Sequence, residues 1–79
     1  MEKGLIDALL RVVQQPAPVR LRPGKALAAF AREYNLGQTR GVQLEFSSAD
    51  QTAIRALLAT RAGIDAGAVT PASWQGLTR

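Results

Sequence analysis

The chain has 79 residues with a net charge of +4, 47% of them hydrophobic and 20% charged. This length holds one domain that buries only about 60–65% of its unfolded surface, and the composition suits a folded globule rather than a disordered tail. Cysteine and histidine are both absent, which excludes disulfide frameworks and thiolate metal sites and removes the commonest metal ligand and general base.

No apolar run approaches the roughly 18–20 residues of a membrane span. The start, Met1-Glu2-Lys3-Gly4-Leu5-Ile6-Asp7, mixes charged and apolar residues unlike a secretory leader. These features predict a cytoplasmic protein that needs no metal, cofactor or membrane.

In chain order, Leu5, Ile6, Leu9, Leu10, Val12 and Val13 recur at helical spacing and predict a first helix over residues 3–15. Pro16 and Pro18 stop it, because neither can supply a backbone donor. Val19-Arg20-Leu21-Arg22 alternates aliphatic and basic residues, as a short strand does, with its arginines on one face.

Pro23 suits the first position of a second helix over 23–35, whose apolar stripe is Leu27, Phe30, Ala31 and Tyr34. Gly37 suits the left-handed position after it. Thr39-Arg40-Gly41 reads as a turn, and Val42-Gln43-Leu44-Glu45-Phe46 as a strand with Val42, Leu44 and Phe46 turned to the core.

A third helix over 49–62 ends at Gly63, with Ile54, Leu57, Leu58 and Ala62 on one face. Two capping registers are open at its start: Ser48 with Gln51, and Ser47 with Asp50. The expected fold is a small helix-dominated α+β domain of order α-β-α-β-α, a two-stranded sheet covered by three helices. Its core would join Leu21, Val42, Leu44 and Phe46 to Leu9, Val13, Leu27, Phe30, Ile54 and Leu58. Residues 1–65 form the module. Residues 66–79, with Gly67, Pro71 and Gly76, have the composition of a flexible tail or linker to a further domain.

Catalysis finds no footing. There is no Ser-His or Cys-His pair, no Walker pattern and no GxGxxG context. Asp50 reads as a cap, Glu45 as a strand-surface residue and Glu33 as a solvated helix partner, so no enzymatic activity is expected.

The basic excess is local. Arg11, Arg20, Arg22, Lys25 and Arg32 fall within residues 8–32, which contain no acid, and the rest of the chain is near neutral. Such a block attracts anions, nucleic acid above all. Cations at a helix start also run against the helix dipole, an arrangement suited to binding phosphate. Arg20, Arg22 and Lys25 are therefore the candidate phosphate contacts, with Arg11, Arg32 and Arg40 extending the basic face. The expected partner is DNA, held by its backbone without sequence preference.

A helix-turn-helix through Leu36–Arg40 is disfavoured, because Gly41 and the alternation after it interrupt a recognition helix. The competing expectation is a protein-docking module that uses its apolar surface and the large side chain of Trp74. Leu36-Gly37, Gly41 to Asp50, Leu57-Leu58 and Gly63-Ile64-Asp65 together resemble N-terminal segments of bacterial Toprim-type nucleases. Those nucleases act beside condensin-like complexes in plasmid defence. The resemblance spans residues 36–65, carries none of that family's catalytic motifs, and implies an N-terminal docking piece of a larger nuclease-like protein.

Overall fold

The computed structural model describes residues 3–65. Trp74 and the whole of the expected tail lie outside them. The elements are helix α1 (Lys3–Val13), strand β1 (Val19–Leu21), helix α2 (Lys25–Glu33), strands β2 (Gln38–Arg40) and β3 (Gln43–Phe46), and helix α3 (Ser48–Leu57). A π-helical turn, Leu58–Ala62, extends α3 to Gly63, whose φ of 66° ends it in the left-handed conformation. The fold is the expected small α+β domain, with one strand more than expected.

The antiparallel sheet has the order β1-β3-β2. Thr39 and Arg40, read from sequence as a turn, belong to β2. All three residues of β2 are exposed, so this edge strand has no apolar alternation by which to be recognised. The turn itself is Gly41-Val42, between the paired residues Arg40 and Gln43. Gly41 takes φ 63°, the first position of a tight hairpin turn where glycine is favoured. Val42 therefore leaves the strand's register and is 68% exposed rather than in the core.

Alternation proper begins at Gln43. Leu44 and Phe46 turn inward and pack in one cluster with Val19, Leu9, Leu10, Leu27, Phe30, Ile54 and Leu58. Leu21 packs against that cluster as a partly buried neighbour. The Phe46 ring is fully buried, and Gly37 lies beneath it. A Cβ at position 37 would sit 3.1 Å from the ring, and φ there is 70°. Gly37 thus serves the packing of Phe46. The left-handed residue after α2 is Asn35, with φ 55°. Around it the Asn35 amide donates to the Arg32 carbonyl (3.3 Å) and the Leu36 amide to the Ala31 carbonyl (2.8 Å), the double bond of a Schellman C-cap.

The two later helices start differently from one another. At α3 the second capping register is the one formed. The Asp50 amide donates to Ser47 Oγ (3.1 Å) and the Ser47 amide to Asp50 Oδ2 (2.9 Å). Ser48 is instead the first helical residue. Gln51, free of any capping duty, is 4% exposed and reaches across the core. Its Nε2 donates to the carbonyls of Val12 and Gln15, both at 2.9 Å. Arg55 Nη2 donates to the Val13 carbonyl at 2.8 Å. Two side chains of α3 thus reach the carbonyls of Val12 and Val13 at the end of α1 and of Gln15 just beyond it.

Candidate nucleic-acid interface

The approach to α2 is Arg22-Pro23-Gly24-Lys25. Pro23 precedes the helix rather than opening it, and Gly24 is the N-cap in extended conformation (φ −78°, ψ 177°). Glycine brings no side-chain acceptor, and the first turn holds no acid. The leading amides have no intrahelical partner, and the first helical residue is a cation, Lys25, rather than an anion.

Three of the six predicted basic residues gather beside this helix start. Arg11 from the last turn of α1, Arg22 from the end of the β1 connection and Lys25 from α2 line one open cleft of about 340 Å³. Gly4, Ala8, Leu21, Gly24 and Leu27 also line it. Three exposed cations from separate parts of the chain thus converge on one hollow, next to helix amides that no side chain caps.

The structure does not bring the other three to that cleft. Arg32 follows Lys25 by seven residues, which puts it on the same outward face of α2 about 10 Å further along. It lines a separate cleft of about 400 Å³ between α2 and the β2–β3 hairpin. Arg20 and Arg40 stand on the outer face of the sheet. Arg20 lies directly opposite Glu45 in the register. Its Nε and Nη2 donate to Glu45 Oε2 at 3.1 and 2.6 Å. Arg40 Nε is 3.7 Å from Oε1 of the same carboxylate, and its Nη2 donates to Gln38 Oε1 at 3.1 Å. The hydrogen bond from Arg20, together with the charge of Arg20 and Arg40, holds the Glu45 carboxyl below its ordinary range, although partial burial acts the other way.

Glu45 is the residue whose part in this surface the sequence reading missed. The available signal was that it is the only acid on the polar side of its strand while the preceding strand presents arginine. Recognising the pair also required the β1–β3 pairing, which joins residues 25 apart.

Other chemistries have little to stand on among the described residues. No group of three or more acidic side chains is placed to hold a metal ion. No helix is long and apolar enough to cross a membrane. Val42 is the one strongly exposed large hydrophobic among them. Trp74, the expected anchor for a protein partner, lies outside the described residues.

Comparison with protein-family models, curated proteins and solved structures finds no match to this chain. The resemblance over residues 36–65 accordingly rests on the sequence alone.

Proposed function

We propose that this domain is a cytoplasmic, non-enzymatic module that holds the phosphate backbone of DNA. Arg22 and Lys25 make the central contacts in the cleft at the start of α2. Arg11 completes that cleft, and Arg20, Arg32 and Arg40 extend the basic surface on either side. The observation that carries this reading is the convergence of Arg11, Arg22 and Lys25 on one hollow beside helix amides that no side chain caps. Backbone amides and cations lining one cleft suit a phosphate oxygen. Contacts of this kind fix position on a duplex and carry no sequence information.

The test is the salt dependence of binding to short duplexes of unrelated sequence. The parent should bind them alike, with log affinity falling linearly in log salt. The Arg22→Ala/Lys25→Ala double variant should bind all of them more weakly. It should also flatten that slope by about two, one for each phosphate charge that is no longer neutralised. A double variant as tight as the parent at low salt would remove the cleft from consideration.

A further inference from the structure

The outer face of the sheet holds an arrangement that the cleft does not explain. Arg20 and Arg40 approach one carboxylate from its two flanks. Arg20 takes Oε2 with two N–H groups, and Arg40 stands 3.7 Å from Oε1. Both arginine side chains are 57% exposed, whereas Glu45 between them is 19% exposed. The strands set the geometry: Arg20 is directly across from Glu45, and Arg40 is one diagonal step away on the opposite neighbour. Two guanidinium groups sharing one pair of anionic oxygens is also how arginines grip a phosphate.

The geometry points to the outer sheet face as a second phosphate-contact surface, on which Glu45 occupies the place of the phosphate and competes with it for Arg20 and Arg40. This rests on the DNA-backbone reading above. The group of two arginines and one carboxylate keeps a net positive charge, so it still attracts an anion. Both guanidinium groups are more than half exposed, so salt screens their contact with Glu45 and an incoming anion can reach them. A duplex phosphate, held at high local concentration once the cleft has bound the same duplex, can therefore compete with the carboxylate for these two arginines. Glu45 then sets the affinity of the whole surface by lowering the supply of available cations, while keeping the arginine side chains in place.

The experiment compares four full-length proteins on one duplex across a salt series: parent, Glu45→Gln, Glu33→Gln, and Glu45→Gln combined with Arg20→Ala/Arg40→Ala. Glutamine keeps the shape and an acceptor oxygen for Arg20 but removes the charge. Glu45→Gln should bind several-fold tighter than the parent at low salt, with a slope steeper by about one. Glu33→Gln makes the same charge change on exposed α2 and should gain less. The gain at position 45 should vanish when the two arginines are gone. In parallel, the Arg20 and Arg40 Nε–H proton signals of the unaltered protein should shift as duplex is added. This second readout decides the matter even if a variant folds poorly. If the parent binds and Arg22→Ala/Lys25→Ala weakens it, but Glu45→Gln matches Glu33→Gln and the two arginine signals stay fixed, the sheet face plays no part and the cleft stands alone. If no protein binds duplex at low salt, both readings fall together.

Discussion

Helices α2 and α3 begin by opposite rules within one small domain. At α3 the chain supplies a serine cap, an acid in the first turn and two reciprocal hydrogen bonds. At α2 it supplies a glycine, no acid and a lysine, with Arg22 just upstream. Each device at α3 favours the helix, and each feature at α2 forgoes that gain. Solvent exposure does not separate them, since Ser47 and Gly24 are both exposed. The contrast teaches that helix starts in this protein are specialised: one fixes the corner between β3 and α3, and the other keeps its positive end open.

The strongest way to break the comparison is at the anchored start. Phe46 immediately precedes the Ser47 cap and is fully buried. Truncating a buried phenylalanine to alanine costs about 3–5 kcal/mol, and a domain of this size rarely holds more than about 3–5 kcal/mol in all. Phe46→Ala should therefore be largely unfolded by far-UV circular dichroism, whereas Lys25→Ala, one residue past the other cap, should keep a cooperative melt. A folded Phe46→Ala would mean that the α3 corner is not the anchor.

A smaller effect exchanges the two designs. Ser47→Ala should cost about 1 kcal/mol in denaturant unfolding, and Ser48→Ala much less, because Ser48 only begins the helix. Conversely, Gly24→Asp should add a few tenths of a kcal/mol of stability. A Cβ at position 24 meets nothing within 4 Å, so the substitution is not strained. The same change should weaken duplex binding, because the new carboxylate takes the place meant for phosphate. A stabilised Gly24→Asp that binds as the parent does would uncouple the open helix start from anion binding.

The smallest effect concerns pH. The Glu45 carboxyl is held below its ordinary value of 4.5, so the folded state resists protonation more than the unfolded one. Its contribution to stability is present above that ordinary value and disappears as pH falls through the lower folded value. Melting temperatures taken from about pH 6 down to about pH 3 should drop more steeply for the parent than for Glu45→Gln. Parallel curves would show that the arginines contribute nothing to folding through Glu45.

Much of the fold could be read from the residues, because helices announce themselves by period. The stripes of α1, α2 and α3 were all legible, as was the alternation of Leu44 and Phe46. What escaped was set by pairing. Gln38, Thr39 and Arg40 become a strand only because β3 lies beside them, and Val42 looked like a core residue until Gly41 placed it in the turn. Gln51 read as a possible local cap, while its amide serves a helix end 36 to 39 residues earlier. For the candidate site, the charge block located Arg22 and Lys25 beside a helix start. It could not show that Arg20 faces a carboxylate or that Arg32 stands apart, since both depend on which face each backbone segment turns outward.

The closure of α1 by Gln51 and Arg55 also governs the order in which the domain can be completed. The carbonyls of Val12 and Val13 at the end of α1, and of Gln15 just beyond it, accept from side chains at residues 51 and 55, which are translated later. A nascent chain cut short after β3 would hold the whole sheet and two helices, yet α1 would end in water with its last turn frayed. Helix α3, the last helix among the described residues, therefore acts as a keystone. Without it, α1 lacks the contacts from Gln51 and Arg55, and a fragment that stops at the loop before Ser47 also lacks Ile54 and Leu58 from its core.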